Sequence, residues 1–379
     1  MKLMHLSDLH LGKRLMDVSL LEDQAYILQQ ILNLLDAEQP DALLIAGDVY
    51  DRANPSADAV QLLDDFLQQL AQRRICTFII SGNHDSAERL TYARSFLAHS
   101  GIHIAPLYDG HIAPVTLSDA YGDVCFWLMP YLHPDQVAHF FPGQEIRTAH
   151  DAAAAVLGAM QLEPGKRHVI LSHQFIVGGA GCDSERRTLG TLEDVGASLY
   201  DAFDYVALGH LHRPQCVGRA DGTMRYSGTP LMYSRSEMQL EKSVPLVTLG
   251  APGEISIRTL PLHPLRALRL ARGSFDELMR TGPADGTQED HYFLDLTDEE
   301  DIPNAAARLR TRFPRMLALS YDNQRTRSFQ EIDAPDAPEE KSPLALMMEL
   351  YQLTHQHPMS EAAVRFVQEA MTHVEGMKP

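Results

Sequence analysis

The sequence is short of cysteine, tryptophan, long apolar runs and positive charge, and most of these shortages exclude something. Four cysteines in 379 residues, Cys76, Cys125, Cys182 and Cys216, form no C-x-x-C pair and no dense framework. That excludes a disulfide scaffold and disfavours a thiolate metal site. Cys76 and Cys125 lie in apolar surroundings and read as small core fillers. No uninterrupted apolar stretch approaches the roughly 20 residues that cross a bilayer. The start, MKLMHLSDLHLG, breaks its apolar run with His5, Asp8 and His10 instead of building a signal-peptide core. A soluble, cytoplasmic chain with no membrane partner is expected. No G-x-x-x-x-G-K-[ST] occurs, so no ATP site is expected in this chain. Lys and Arg number 32 against 51 Asp and Glu, a net charge of -19. A protein that grips nucleic acid through its own surface field is basic, so composition alone points away from DNA.

What is present is an ordinary globular balance, 45% hydrophobic and 22% charged, which argues against disorder and coiled coil. Short apolar runs alternate with helical spacing through the first two thirds. Strands are expected at 3–6, 42–46, 76–80, 124–129, 168–172, 204–208, 224–227 and 244–249, and helices at 20–37, 57–72 and 149–161, with Ser56 or Asn54 as a cap. This β-α-β-α-β rhythm predicts an α/β fold with a largely parallel sheet covered on both faces. After about residue 262 the order strand, helix, strand, helix, strand suggests a small separate α/β unit. The acid- and Pro-rich DAPDAPEEKSP reads as a linker, and the last stretch divides at Pro358 into two short amphipathic helices, the second capped by Ser360.

Eighteen histidines are more than packing needs, and their placement carries the chemistry. Five motifs follow expected strands: Asp8-Leu9-His10, Gly47-Asp48, Gly82-Asn83-His84-Asp85, Ser172-His173 and Gly209-His210-Leu211-His212. In a parallel sheet the carboxyl ends of the strands share one edge, so these residues should converge. Carboxylates, an amide oxygen and imidazoles suit divalent metals. The total supplies three or four ligands to each of two ions, with Asp48 as the natural bridge. Singly, Asp8 or Asp48 would pass for a helix cap, Asn83 for a turn residue and His173 for a structural histidine. Five such accidents on one edge are a poor account of the set. Two close ions suit displacement at phosphorus, so phosphoester hydrolysis is the leading chemistry. The Gly178-Gly179-Ala180-Gly181 run is too irregular for a phosphate loop and reads as a mobile segment beside His173.

D-x-H, G-D, G-N-H-D, a strand-end His and G-H-x-H in this order resemble the calcineurin-like metallophosphoesterase superfamily. The longer strings SDLHLG, AGDVYD, SGNHDS, LSHQF, SERRTLGTLEDV, FDYVALGHLHRPQ and RYSGTPLMYS are similar to its DNA-nuclease branch over nearly the whole chain. The resemblance implies a core of two packed mixed sheets flanked by helices at 1–262, with an α/β capping domain for DNA ends at 263–333. A linker at 334–343 and a helical segment at 344–379 that docks on a coiled-coil ATPase partner would follow. It implies two divalent ions, manganese before magnesium, one held by Asp8, His10, Asp48 and His212, the other by Asp48, Asn83, His173 and His210. His84 would act on the scissile phosphate or the leaving group, with Asp85 orienting its imidazole, capping a turn or helix, or serving both. Asp51 stands where relatives often carry His and receives no role.

The same resemblance implies double-strand exonuclease and single-strand or hairpin endonuclease activity in DNA repair, recombination and replication. The assembly would be a homodimer within a heterotetramer. Arg266, Arg269, Arg272, Arg308, Arg310, Arg312 and Arg315 are candidates for phosphate contact, against the commoner reading of a solvated, charge-paired face. A stand-alone phosphoesterase acting on nucleotides or phosphoproteins is the alternative, and it would not need the linker and terminal helices. A non-catalytic scaffold is disfavoured by the intact ligand set.

Overall fold

A computed structural model describes residues 1–185 and 193–323, together with Thr326, Met348, Tyr351, Met359, Ser360, Ala363, Val364 and Val367. The expected linker at 334–343, most of the segment 344–379 and part of the SERRTLGTLEDV string lie outside the described residues. Met1–Leu296 with Ile302–Ser320 form one compact unit, and the described residues of Thr297–Asp301 and Tyr321–Pro379 a second.

In the first unit, one six-stranded sheet contains β1 (Lys2–Leu6), β2 (Ala42–Ala46), β3 (Cys76–Ile80) and β4 (Ile102–Ile104). A second six-stranded sheet contains β5 (Val115–Asp119), β6 (Gly122–Leu128), β7 (Arg167–Ser172), β8 (Tyr205–Leu208), β9 (Gln215–Cys216) and β10 (Met224–Tyr226). The chain then returns to the first sheet as β11 (Ser243–Leu249) and β12 (Ile255–Pro261), so the orders are β12-β11-β1-β2-β3-β4 and β9-β10-β8-β7-β6-β5. Strands β1 to β4 run parallel, as do β6, β7, β8 and β10, while β11 pairs antiparallel with β1. The rhythm alone suggests one sheet. There are two because the antiparallel pair β5–β6 starts a new ladder.

Side-chain alternation explains the layering. Leu3, Ala42, Leu44, Ala46, Phe78 and Ile80 point from the first sheet onto Val124, Phe126, Leu128, Val169, Leu171 and Ala207 of the second. The Phe78 and Phe126 rings stack there with centroids 4.4 Å apart. The intervening residues Met4, Leu6, Leu43, Ile45 and Ile79 face outward onto helices α1 (Leu21–Glu38) and α2 (Ala57–Arg73). On the other side Trp127, Ile170, Val206 and Leu208 receive Ala152, Ala153 and Val156 of α3 (Ala149–Ala159). Because both faces of both sheets are covered, central strands read as continuous apolar runs. Each fully buried Leu, Ile, Val or Phe contributes about 1.5–3 kcal/mol through the apolar surface it removes from water.

Three further strands, β13 (Leu268–Gly273), β14 (His291–Leu296) and β15 (Met316–Tyr321), form their own sheet with α4 (Phe275–Thr281) and α5 (Ala305–Arg310). Leu268, Phe293 and Leu317 join the same apolar cluster as α1 and α2, so this sheet packs onto the core that precedes residue 262. In the second unit Asn323 Nδ2 donates to the Asp298 carbonyl at 2.9 Å. There too, Ser360 Oγ accepts from the Ala363 amide at 3.3 Å, the cap expected from the sequence. Among the described residues no helix is long and apolar enough to cross a membrane.

Candidate metal centre

The candidate residues sit where parallel strands end: Asp8 and His10 beyond β1, Asp48 beyond β2, Asn83 and His84 beyond β3, His173 beyond β7, and His210 and His212 beyond β8. Backbone ladders continue past the first two strands, with the amides of Asp8, His10 and Leu11 donating to the carbonyls of Gly47, Asp48 and Val49 at 2.9–3.0 Å. Asp8, His10, Asp48 and His210 all have positive φ, at 52°, 44°, 47° and 105°. That region is unfavourable for a side chain, and such residues concentrate at functional sites. In Asp8-Leu9-His10 and His210-Leu211-His212 the turning backbone brings both alternate residues into the centre.

The glycines of the motifs have a steric reason. A Cβ on Gly47 or Gly209 would collide with the His173 ring, and on Gly209 also with the Ala46 carbonyl oxygen. A Cβ on Gly82 would strike the carboxylate and amide of Asp48.

Overlapping groups of ligand atoms result. Asp8, His10 and His212 offer atoms within 4.8 Å of one another, as do Asp8, Asp48 and His173, and likewise His10, Asp48 and His84. Asn83 Oδ1 lies 3.1 Å from both His173 Nε2 and His210 Nδ1. His173 Nδ1–H donates to the Ala46 carbonyl at 2.8 Å, which leaves Nε2 facing Asp48 Oδ2 at 3.4 Å. His10 Nε2 and His212 Nε2 face each other at 3.1 Å. Asp8 is held by the Ser7 hydroxyl and by the His210 amide, which donates at 3.0 Å. Ligand-type nitrogen and oxygen atoms thus crowd one another in a buried space: His10, His173 and Asp8 are 0% exposed and Asp48 2%. Such a set is compatible only with shared protons or cations. Hard oxygen and imidazole donors at this density fit divalent metal ions.

The electrostatics agree. Burial pushes the Asp8 carboxyl up to about 6, against the opposing pull of His173 and His212. Burial also pushes His10 well below its ordinary value and His210 down to about 3, so both imidazoles are neutral, as ligands must be. For His173 burial pulls down, but Asp48 and Asp8 outweigh it and raise the ring to about 9. Despite its burial, Asp48 is held well below the carboxylate range by His173, His10 and His84. In the metal-free protein His173 and Asp48 form a charged pair.

His84 and Asp85 part company. The His84 amide donates to Asp48 Oδ1 at 2.8 Å, and its Nδ1–H to the backbone carbonyl of Asp51 at 2.9 Å. Asp85, expected to orient that imidazole, instead accepts the amides of Val49, Tyr50 and Gly82 at 2.9–3.1 Å. This is the turn-capping role open to it from the sequence: the turn after β2 presents N–H groups with no ladder partner, and the nearest carboxylate satisfies them. The carboxylate of Asp51 receives Lys13 Nζ at 2.7 Å.

Several residues around the centre were assigned no role from the sequence. His212 Nδ1 contacts Ser184 Oγ at 2.6 Å, Ser184 Oγ donates to Glu237 Oε1 at 2.5 Å, and Lys242 Nζ donates to Glu237 Oε2 at 2.6 Å. Of the arginine candidates, Arg266 is bound by Glu22 and Asp23 at 2.7 and 2.9 Å, Arg269 by Asp290, and Arg315 by Glu289 at 3.1 Å. The Arg308 guanidinium lies 4.1 Å from the centroid of the Phe275 ring.

Comparison with known proteins gives this geometry its family. A calcineurin-like phosphoesterase model matches residues 1–214. The SbcD chain of the nuclease SbcCD from Staphylococcus epidermidis is 33% identical over 343 residues, 89% of this chain and 90% of that protein. Among solved structures, a dimetal phosphatase from Danio rerio aligns with TM-score 0.43 and 13% identity, over 70% of this chain and 97% of the other. The chain belongs to the calcineurin-like phosphoesterase family and, within it, to the SbcD nucleases.

Proposed function

We propose that this protein is a metal-dependent DNA phosphodiester hydrolase that acts with an SbcC ATPase in end processing, cutting double strands exonucleolytically and hairpins or single strands endonucleolytically. The observation that carries the reading is the convergence of seven ligand-type residues, the buried Asp8, His10, Asp48, His173, His210 and His212 with the half-buried Asn83, in a chain that matches a nuclease over 89% of its length. Asp8, His10, Asp48 and His212 would hold one ion, and Asp48, Asn83, His173 and His210 the other. Two divalent ions there, manganese first and magnesium second, would supply Lewis acidity toward phosphoryl oxygens.

The chain's own residues do the rest. Asp51 fixes the His84 ring through its carbonyl, so His84 Nε2, 4.0 Å from Asp48 Oδ2, is turned toward the centre, where it can hold or deliver a proton at the leaving oxygen. Asp85 supports this by bracing the turn that carries Asp48. Residues 1–262 would be the nuclease domain, 263–333 the cap that distinguishes DNA ends, 334–343 a linker and 344–379 the segment docking on SbcC, in a heterotetramer containing two copies of each chain.

End-labelled hairpin DNA with manganese, with and without SbcC, set beside a small chromogenic phosphodiester, tests the activity. Cleavage of the hairpin is expected. Turnover of the small ester alone under both conditions would overturn the nuclease reading in favour of a stand-alone phosphoesterase. A chain ended after Asp333 should keep its metals and fail to co-purify with SbcC.

A further inference from the structure

His212 differs from the other histidines of the centre in how it is held. His173 is fixed by a backbone carbonyl, whereas the Nδ1 of His212 meets the hydroxyl of Ser184, which passes the contact on to Glu237. Glu237 itself is too far from the ring to bond it, at 3.8 Å. Its carboxylate is 0% exposed and is fully engaged by Ser184, Ser234, Thr229 and Lys242. Lys242, also buried, donates in addition to the His212 carbonyl at 3.1 Å. The His212 amide donates to Glu185 Oε1 at 2.6 Å. Ring, amide and carbonyl of one histidine are therefore each clamped, and two of the three clamps come from Ser184 and Glu185.

Burying an ion pair costs free energy that packing alone would not repay, so its presence behind one histidine calls for a purpose. We propose that Ser184, backed by the Glu237–Lys242 pair, is the positioning residue that selects the Nδ1–H tautomer of His212 and so aims Nε2 at the metal site. The ring donates Nδ1–H to Ser184 Oγ, and Ser184 donates its own proton to Glu237. Lys242 offsets the charge of Glu237, so the Ser184–Glu237 relay itself adds no net charge behind the ligand. Since Ser184 follows the Gly178-Gly179-Ala180-Gly181 run, the clamp on His212 is carried by that loop. The loop is anchored for this by the paired contacts of Ala180 with Gln215 at 2.8 Å and of the Asp183 amide with Ser236 Oγ at 3.0 Å.

This inference rests on the metal reading above, and its test separates the two. In the full-length protein Ser184→Ala should weaken binding of one of two manganese ions about 10- to 100-fold, the usual effect of removing such a partner, while the other ion keeps its affinity. Ser184→Thr should restore binding. In the metal-free protein, nitrogen-15 NMR of labelled histidines should show His212 as the Nδ1–H tautomer in the wild type and as a mixture in Ser184→Ala. Wild-type manganese affinity and an unchanged tautomer in a folded Ser184→Ala variant would overturn the proposal. Should the wild type bind no manganese, the metal reading fails, and the tautomer comparison still decides the clamp. Glu237→Gln is a harsher probe, because it leaves Lys242 buried without its counter-charge. Ser184→Ala, on a half-buried loop, decides the question even where that variant does not fold.

Discussion

Gly209 and His173 show how closely single residues determine the centre. A methyl group on Gly209 would meet the Ala46 carbonyl oxygen and the His173 ring at once, and a backbone atom inside a sheet has little room to give. Gly209→Ala is expected to destabilise the fold by about 1–3 kcal/mol, read as a lower urea midpoint, and to reduce metal binding. An unchanged midpoint would show that the strand end relaxes. His173 makes a pH-dependent expectation. Its ring is raised from 6.5 to about 9 by Asp48 and Asp8, which outweigh burial. The raised His173 ring therefore contributes stability to the metal-free protein that is fully present below 6.5 and is lost as the pH rises through about 9, while the depressed Asp48 carboxyl contributes above its ordinary value of 3.8. A metal ion binding at Nε2 must displace this proton, so metal affinity should climb with pH up to about 9 and level off above it. Calorimetry near neutral pH in two buffers of different ionisation enthalpy should detect proton release on binding, and affinity that is flat from neutrality to about pH 9 would refute the pairing. The ligand types were legible in the sequence because each follows a strand, most of them with a glycine at the turn. Ser184 opens one of the family strings, but its link to Glu237 and Lys242 was not legible, since a hydroxyl, an acid and an amine become a relay only when segments remote in the chain meet.

At the scale of elements, the strands of the two large sheets that periodicity did not mark are β4, β5, β9 and β12, and these are their four outer strands. Edge strands bury one side or little at all: Val115–Asp119 and Ile255–Pro261 have no fully buried face, and Gln215–Cys216 is two residues long. Without the continuous apolar run of a doubly covered strand there is little for a pattern to detect. Central strands and the long helices were legible for the opposite reason. The attachment of the β13–β14–β15 sheet also escaped the sequence, because it depends on a contact between residues remote in the chain. Arg266, with a side chain 9% exposed, binds the buried Asp23 of α1 as well as the exposed Glu22. Removing it leaves Asp23 facing only His291 at 3.6 Å. Arg266→Ala should cost about 1–3 kcal/mol, whereas Glu22→Ala, which removes only the exposed partner, should cost less than about 1 kcal/mol. Equal effects of the two in chemical denaturation would show that burial of Asp23 is not what the arginine serves. The same engagement argues that Arg266 is a structural strap and no free phosphate contact.

For the whole molecule the net charge of -19 sets how DNA can be held. None of the three segments 1–262, 263–333 and 334–379 carries net positive charge, and Arg266, Arg269 and Arg315 are already paired with carboxylates. Part of the acidity belongs to the centre itself, where bound divalent ions reverse the local sign. A DNA end can then be attracted to the metal centre while the rest of the surface repels the duplex. Counterion release, the main source of non-specific affinity, needs Lys or Arg against phosphates. The chain alone is therefore expected to bind hairpin DNA weakly at about 0.15 M salt, with a shallow dependence of log K on log salt. Adding SbcC should raise affinity and steepen that slope, because the missing cations would come from the partner. Fluorescence anisotropy of a labelled hairpin across a salt series, with calcium replacing manganese to prevent cleavage, measures both. A steep slope for the isolated chain would mean that a cationic path exists on this protein, and the β13–β14–β15 sheet would be the place to look for it.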